Sequence, residues 1–462
     1  MANNSQRRGF KMPHNYVVVF CIVILAALLT WIIPAGQFER EGRAVIPGTY
    51  HAVESNPVGP IGVFYAVEQG FVQTADIIFF IMFAYGFVHM MLKNGSFDAL
   101  MGALIRKTAH FNERIVFVII MVVFGILGAT MGMAEETYGM YPIFIGIGAA
   151  LGYDAIVGAS IVYIGVQTGF ASAILNPFTL GVANGISGIT TSPQMMIYRI
   201  VCFVLFEGVG IWYVLRYAKR IKADPSSGLL YGTEYQDMGK DKSREEMVLA
   251  QMTPRHAICG LIFLAVIGLM IWGVLAKGWY IDELSTLFFI AMVVVGLVGG
   301  FGPSRIASEF IEASKSMVRG AFIVGVSRAI MITMQNGQII DSVLYYLSST
   351  LNGMSGMLAG MLQVVVQNIV NIFIPSGSGQ ASAVMPIMAP LSDLIGVSRQ
   401  VANLAFTFGD GYSNMIIPTG VFTTAGLMGL PVEKWFKWIS KLFIIYFVLE
   451  LVMISVAVLI GL

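Results

Sequence analysis

The chain has 462 residues, of which 57% are hydrophobic and only 11% are charged, and its mean hydropathy is +0.78. Soluble domains carry about a quarter charged residues, so this composition excludes an ordinary soluble protein and indicates an integral membrane protein. The net charge of +1 leaves no basic footprint for a nucleic acid. The three cysteines lie in apolar segments and show neither a disulfide framework nor a metal-ligand spacing. Long apolar runs and 51 glycines favour helices over a barrel.

Apolar segments of span length recur along the chain and predict an all-α polytopic protein with about 10–12 spans. They lie near residues 16–36, 76–93, 113–131, 155–183, 197–217, 255–276, 284–300, 318–335, 354–374, 398–428 and 436–461. The first segment has full span length and lacks a small-residue cleavage site, so we interpret it as a retained helix. Two stretches, Phe97–His110 and Ile306–Met317, are too short and polar to span and are expected to lie at the interface. We expect a multi-pass protein of the inner (plasma) membrane.

A long polar stretch, residues 219–254, divides the chain into segments 1–218 and 255–462, and we interpret it as a cytoplasmic linker. The N-terminus is basic and is also expected in the cytoplasm. Its basic residues are Arg7, Arg8 and Lys11. Five apolar segments precede the linker, an odd number that would place it on the opposite face from the N-terminus. At least one of the assigned spans is therefore expected to be wrong.

Sequence features of the first half recur in the second half at a spacing of 241 to 244 residues. The pairs are Pro142 with Pro386, Asn94 with Asn336, residues 151–154 with 395–398, and Pro177 with Pro418, an alignment that also pairs Ser172 with Ser413. Four pairs in the same order indicate an internal duplication. We therefore expect two inverted repeats.

In each half a span leads to a polar, glycine-rich stretch and then to an apolar piece too short to cross. We predict re-entrant hairpins at 132–152 and 375–396, because two crossings need about 20 residues each. Broken helices are predicted at 155–187 and 398–428, where Pro177 and Pro418 interrupt the apolar run. Paired interrupted helices in two halves point to the binding site of a transporter.

The first hairpin carries two adjacent acids, Glu135 and Glu136, in an apolar surrounding. A charge at the bilayer centre costs about 2.5–3.5 kcal/mol on insertion scales, so its presence indicates a function. The other interpretation is a hairpin that ends near the surface, where the pair is simply solvated. We predict that both carboxyl groups face a water-filled cavity and bind substrate.

The second hairpin begins with small residues that free backbone carbonyls and hydroxyls to bind ligands. Its candidate substrate-binding residues are Ser376, Ser378 and Gln380, and a sodium ion could bind near Ser376, Gly377 and Ser378. The alternative is a flexible loop. Apart from this, no metal site is expected. We expect no cofactor, and Na⁺ or H⁺ remains possible as a coupling ion.

The helix breaks supply the remaining candidates. They are Ser172, Asn176 and Thr179 in the first half, and Asp410, Ser413, Asn414 and Thr419 in the second. Asp410 is a further acid inside an apolar segment, while amides and hydroxyls beside a break can hold the backbone groups of an amino acid. Back-bonding within the helix is the other interpretation for Ser172 and Thr179.

Arg328 stands out as the one basic residue deep inside an apolar segment. It could pair with Asp410 or Glu136, bind a carboxylate, or extend to an interface. Three acids against one arginine favour a cationic substrate, because a dianion would need more donors or cations.

The stretches IPSGSGQASAVMPIMAPL, AILNPFTLGVA and GLPVEKWFKW resemble the YfcC family. That family belongs to the C4-dicarboxylate anaerobic carrier group of the ion transporter superfamily. The resemblance implies a homodimer, scaffold and transport domains in each protomer, opposed hairpins and elevator-type alternating access. Members of the wider superfamily carry Ser-Asn-Thr at the hairpin tips. The sequence here, Gly132-Met133-Ala134, lacks those hydroxyls and departs from the family's sodium-binding pattern at the first tip.

Family relatives resemble carriers of basic amino acids, including arginine–ornithine exchangers, whereas the group name implies dicarboxylates. We therefore predict a non-enzymatic secondary transporter for basic amino acids, with a small-molecule substrate and the lipid bilayer as its partners. The alternative is a Na⁺- or H⁺-coupled carrier of C4-dicarboxylates or other carboxylates. More remote alternatives are a channel and an intramembrane aspartyl protease built on Asp154 and Asp410.

Overall fold

The computed structural model describes residues 15–41, 44–46, 48–100, 103, 113–239, 252–277, 279, 281–351, 354 and 356–462. The basic N-terminal residues, most of the predicted interfacial stretch Phe97–His110 and residues 240–251 of the linker lie outside this part of the chain. The described residues are mainly helical.

The first half contains eight described α-helices. They are α1 (Asn15–Ile32), α2 (Pro60–Gln73), α3 (Ala75–Lys93), α4 (Glu113–Met131), α5 (Tyr141–Ala150), α6 (Ala155–Ser172), α7 (Val182–Ser187) and α8 (Pro193–Ala223). A 3₁₀ segment, Glu135–Met140, precedes α5, and a π-turn, Pro177–Gly181, precedes α7. A second 3₁₀ turn, Pro225–Ser227, follows α8.

The second half contains nine described α-helices in a related order. They are α9 (Pro254–Lys277), α10 (Ile281–Val298), α11 (Pro303–Asn336), α12 (Ile340–Ser349), α13 (Gly356–Phe373), α14 (Gly377–Leu394), α15 (Arg399–Ser413), α16 (Pro418–Met428) and α17 (Val432–Leu459). The order from α4 to α8 recurs from α13 to α17.

Short antiparallel strands form the connection between α1 and α2. They are β1 (Gly36–Gln37), β2 (Arg40–Glu41), β3 (Ala44–Val45) and β4 (His51–Ala52), with β1 paired to β4 and β2 to β3. This connection is fastened to α12, because Asp341 accepts from the Phe38 backbone N–H at 3.0 Å and from Arg40 at 2.6 Å. Tyr50 also stacks on Tyr345 with ring centroids 4.1 Å apart.

Among the described residues, seven helical segments are long and apolar enough to cross a membrane by length and composition. They are Ala75–Lys93, Glu113–Met131, Ala155–Ser187, Pro193–Ala223, Ile281–Val298, Gly356–Phe373 and Val432–Leu459. Two shorter apolar helices are Tyr16–Ile32 and Pro254–Met270. The protein is therefore a multi-pass helical membrane protein.

The chain reverses direction at residues 132–134. Gly132 has φ +72°, a left-handed conformation that glycine adopts without strain. After the reversal, α5 runs back along α4, so that Phe144 packs on Phe124 at 5.5 Å between ring centroids. Farther along, Tyr153 packs on Phe117 at 5.1 Å. Helices α4 and α5 are thus the two arms of a hairpin, and we call residues 132–136 its tip.

The second hairpin has the same construction. Its arms are α13 and α14, since the Gln380 amide donates to Gln367 Oε1 at 2.8 Å and the Gln363 amide donates to the Ser392 hydroxyl at 3.0 Å. We call residues 374–378 its tip.

The predicted hairpin bounds, 132–152 and 375–396, were therefore wrong, because each range contains one arm and not two. The first arms, α4 and α13, have full span length and were interpreted as ordinary spans. Treating α4 as a hairpin arm removes one crossing before the linker. With α4 counted as a hairpin arm, the number of crossings before the linker is even, which is the number that the positive-inside rule favours for a basic N-terminus and a basic linker.

A further correction concerns the predicted interfacial stretch at residues 306–317. It lies within α11, a continuous helix of 34 residues that also contains the apolar segment predicted at 318–335. No proline follows Pro303 to interrupt it, so the polar and apolar parts form one helix.

The two broken helices run past each other in opposite directions at the centre of the molecule. Helix α6 ends where α15 ends, because Gly411 packs against the backbone of Ala171. Helix α7 lies beside the start of α15, where Arg399 donates to the Ser187 carbonyl at 2.7 Å and Asn403 to Asn184 at 2.8 Å. The two breaks therefore lie side by side in the interior.

Candidate functional site

A cavity of about 250 Å³ lies where the two hairpin tips and the two helix breaks converge. The predicted site residues that line it are Glu135, Glu136, Ser376, Ser378, Asn414 and Thr419. Helices α3 and α11 also line the cavity, with Thr74 and Ile77 at the start of α3 and with Ser327 and Arg328 on α11. The volume is somewhat below the usual range of about 300–1,000 Å³ for ligand sites and fits a small metabolite.

The first tip brings two carboxyl groups to the cavity. The backbone N–H of Ala134 donates to Glu136 Oε2 at 2.8 Å, which fixes this side chain across the tip. Glu136 is buried, and Glu135 is half-buried beside it at the start of the 3₁₀ segment. Two neighbouring carboxyl groups in a low-dielectric site repel each other, so a cation bound between them would be stabilised.

The second tip is uncharged and closely packed. Ser376 is the N-cap of α14, with its hydroxyl accepting from the Gly379 backbone N–H at 3.4 Å. Gly377 lines the cavity, and a Cβ atom added there would lie 2.6 Å from Thr179 Cγ2 and 3.4 Å from an Asp410 oxygen. Gly377 thus separates the cavity from Thr179 and Asp410, which lie directly behind it.

Asp410 is fully buried, and neither of its carboxylate oxygens has a hydrogen-bond partner among the described residues. Gln380 is also absent from the lining of the cavity. It is fully buried and its amide donates to Gln367 on α13, so it holds the two arms of the second hairpin together.

Three predicted residues stabilise the breaks and do not line the cavity. The Ser172 hydroxyl lies 3.0 Å from the Tyr412 hydroxyl. Asn176 Oδ1 accepts from the backbone N–H groups of Phe178 and Thr179, which caps the π-turn. The Ser413 hydroxyl donates to the Gly409 carbonyl at 2.6 Å. Asn176 thus satisfies unpaired N–H groups of the first break, while Ser413 back-bonds within α15 and Ser172 links α6 to α15 through Tyr412.

Aromatic side chains form much of the cavity wall, and the sequence did not reveal them. They are Tyr138, Tyr141, Tyr163, Phe170 and Phe178. Tyr141 lies 5.9 Å from Tyr138 and 6.4 Å from Tyr163 between ring centroids. Aromatic faces attract cations, so this wall is compatible with the acidic first tip. In the sequence, an aromatic residue of an apolar run cannot be distinguished from one that fills the core.

Arg328 lies on the α11 wall of the same cavity. Its Nε donates to Gln73 Oε1 at 3.2 Å, an amide partner that the sequence did not predict. The cavity is therefore lined by carboxyl groups of the first hairpin and by a guanidinium group of α11.

The prediction that Arg328 is the only deep basic residue was wrong. Arg199 on α8 is fully buried, as are two further acids in the helix bundle, Glu207 and Glu450. Arg199 lies near the start of its apolar segment and therefore appeared interfacial. Helix α8 begins earlier, at Pro193, and packs this turn against the first break.

The two aspartates of the protease alternative lie at opposite ends of α6. Asp154 is the N-cap of this helix and accepts from the Val157 N–H at 3.1 Å, whereas Asp410 is close to its C-terminal end. Helix α6 has 18 residues, which corresponds to about 27 Å at 1.5 Å per residue. The pair cannot share a scissile bond.

Residues 12–459 match the model of the DcuC family, described as C4-dicarboxylate anaerobic carriers. A protein of Escherichia coli K12, named "Putative basic amino acid antiporter YfcC", is 30% identical over an alignment 506 positions long, which covers 100% of this chain and 99% of the relative. An uncharacterized Haemophilus influenzae protein is 28% identical, with 96% of each chain covered.

Two solved structures show a weaker likeness. One is the YdaH transporter of Alcanivorax borkumensis, with 14% identity, a TM-score of 0.46, and coverage of 97% of this chain and 99% of that one. The other is MtrF of Neisseria gonorrhoeae, whose structure illuminates a class of antimetabolite efflux pumps, with 16% identity, a TM-score of 0.45, and coverage of 97% and 96%. Neither carries an argument about this protein at that similarity. The family match extends over nearly the whole chain, and the chain belongs to the DcuC family of carriers, within which it is YfcC-like.

Proposed function

We propose that the protein moves basic amino acids of the arginine and ornithine type across the inner membrane, by exchange or uptake, through alternating access. The observation that carries this proposal is the convergence of both hairpin tips and both breaks on one cavity whose first tip supplies two carboxyl groups, Glu135 and Glu136. A guanidinium or ammonium group between these carboxyl groups would replace their mutual repulsion with two charge-assisted contacts. The name of the E. coli relative supports the same substrate class.

The part of the wall formed by α11 and other residues of the second half suits the carboxylate end of such a substrate. Arg328 can pair with an α-carboxylate, while Asn414 and Thr419 offer neutral hydrogen-bonding groups on the wall of the second half. The tyrosine and phenylalanine rings can enclose the alkyl chain and stabilise the cationic head group. Ser172, Asn176, Gln380 and Ser413 would act indirectly, by holding the tips and breaks in place.

A second candidate is a carrier of dicarboxylates or other carboxylates, coupled to Na⁺ or H⁺. Arg328 in the cavity wall and the family description favour it. A dianion would, however, bring two negative charges against the two carboxyl groups of the first tip. A cationic substrate meets no such repulsion, and we therefore prefer a basic amino acid as the substrate.

Alternating access requires parts that move relative to one another. The cavity lies between helices α3 and α11 and the hairpin tips and breaks, although α3 also packs on the 3₁₀ segment and α11 on α16. We take α3 and α11 as part of a scaffold domain and the tips and breaks as a transport domain that moves in elevator fashion. The antiparallel broken helices and the recurring helix order support two inverted repeats. A homodimer of such protomers completes the proposed arrangement.

Uptake of labelled arginine into proteoliposomes tests this function. We expect uptake into ornithine-loaded vesicles and much less into vesicles without internal substrate if exchange is obligatory. Protein-free liposomes with the same contents give the background. Uptake of succinate under a Na⁺ or proton gradient, with no arginine transport in either vesicle type, would contradict the proposal and favour the second candidate.

A further inference from the structure

The two helix breaks are satisfied by different chemistry. At the second break the donors are neutral: the Asn371 amide donates to the Asp410 carbonyl at 2.7 Å, and the Gln167 amide donates to the Gly411 carbonyl at 2.6 Å. At the first break the donor is charged. Arg199 Nη1 donates to the Ala173 carbonyl at 3.1 Å and to the Ser172 carbonyl at 3.4 Å.

These two carbonyls terminate half-helix α6. Ala173 has φ +44°, in the left-handed region, and ends the helix there. The next two backbone N–H groups, those of Ile174 and Leu175, donate to the Ala129 carbonyl on α4. The free carbonyls and the negative end of the helix dipole therefore point to Arg199.

Arg199 has little else to compensate its charge. It is fully buried, and its third contact is the neutral Thr407 hydroxyl at 3.1 Å. Its Nε and Nη2 atoms have no partner among the described residues, so no described carboxylate pairs with it. A buried charge without an opposite charge is costly. The carbonyl end of α6 is the feature that stabilises this guanidinium.

Half-helix C-termini and unwound carbonyls are the groups with which transporters coordinate coupling cations at membrane depth. We propose that Arg199 is a tethered cation that occupies such a cation site at the first break, so that this half of the protein requires no free ion. Thr407 on α15 ties the tethered cation to the second broken helix. The inference concerns ion requirement and is independent of which substrate the cavity binds.

Removing the tethered charge should create a requirement for a free cation. Exchange by the unmodified protein is expected not to rise when Na⁺ replaces choline in the medium or when a few millimolar guanidinium is added. In Arg199→Ala, exchange in choline should fall at least 10-fold and recover with Na⁺ or guanidinium. Arg216→Ala is the matched control, because this arginine lies on the same helix α8 but is exposed and stacks on Trp212.

Thermal unfolding provides a readout that needs no transported substrate. Millimolar guanidinium or Na⁺ should raise the Tm of Arg199→Ala by several degrees more than that of the unmodified protein. Failure of arginine transport by the unmodified protein would thus refute the proposed substrate without affecting this measurement.

Two results would overturn the tethered-cation proposal. One is an Arg199→Ala protein that exchanges normally in choline. The other is a folded Arg199→Ala protein that neither recovers activity nor gains stability with any added cation. If Arg199→Ala does not fold, Arg199→Lys is the variant that tests the proposal, because lysine keeps the positive charge. Exchange by Arg199→Lys in choline supports the proposal, and loss of its exchange contradicts it.

Discussion

The two hairpin tips face the same cavity with opposite chemistry. The first tip presents Glu135 and Glu136 at the start of a 3₁₀ segment. The second presents Ser376, Gly377 and Ser378, with no charge and no space for an additional carbon atom at Gly377. The two hairpins therefore share an arrangement of helices but not a chemistry: one tip provides charge and the other allows close backbone approach. The predictions below test this division, from the largest expected effect to the smallest.

Neutralising the first tip should produce the largest change. We expect Glu135→Gln/Glu136→Gln to raise the KM for arginine exchange at least 10-fold, because two hydrogen bonds to charged groups, each worth about 1.5–3 kcal/mol, lose their charge assistance. The measurement is the concentration dependence of arginine uptake in proteoliposomes. Glu54→Gln is the matched control, since Glu54 is exposed in the connection between α1 and α2. An unchanged KM in the double variant would show that Glu135 and Glu136 do not bind the substrate.

Adding one carbon atom to the second tip should be nearly as damaging. In Gly377→Ala the new Cβ would lie 2.6 Å from Thr179 Cγ2, so the tip must shift. We expect exchange to fall about 10-fold, since overpacking costs on the order of 1–3 kcal/mol.

A second substitution tests whether this contact is the cause. Thr179→Ser removes Cγ2, so Gly377→Ala/Thr179→Ser should recover much of the activity. Gly268→Ala, at a position with open space on α9, is the control for the glycine change. Gly377→Ala with normal exchange would show that the second tip does not need to pack closely.

The α11 wall should affect only substrates that carry a carboxylate. We expect Arg328→Gln to weaken arginine binding about 10-fold but to leave binding of agmatine, which lacks the carboxylate, within about twofold. Competition of both compounds against labelled ornithine measures this. Equal weakening of both would place Arg328 in a structural role.

The smallest effect concerns the N-cap of α14. Ser376→Ala removes a cap and should destabilise the protein by about 0.5–2 kcal/mol, seen as a lower Tm with a KM changed less than threefold. Ser376→Asp keeps a capping oxygen and should restore the Tm. A large rise in KM without a change in Tm would instead make Ser376 a direct ligand.

The sequence predicts a charged tip and two breaks because their signals are local. Glu135 and Glu136 interrupt an apolar run, and Pro177 and Pro418 interrupt helices wherever they occur. The hairpin arms were misassigned because α4 has the length and composition of a complete span, and only tertiary contacts such as Phe124 with Phe144 show that the chain reverses.

Other parts of the site depend on tertiary packing. Whether Tyr163 lines a cavity or fills the core depends on which helix face packs against it. Asn176 and Ser413 were chosen because they are polar, but the breaks use these side chains for their own carbonyl and N–H groups. Arg199 was overlooked because its burial results from the packing of α8 against the first break.

The most direct test of the central claim is a calorimetric titration of the purified protein with arginine and with succinate. The account predicts saturable binding of arginine, none of succinate, and loss of at least 10-fold in arginine affinity in Glu135→Gln/Glu136→Gln. Binding of succinate that survives in this double variant and disappears in Arg328→Gln would contradict the account. The cavity would then belong to an anion carrier.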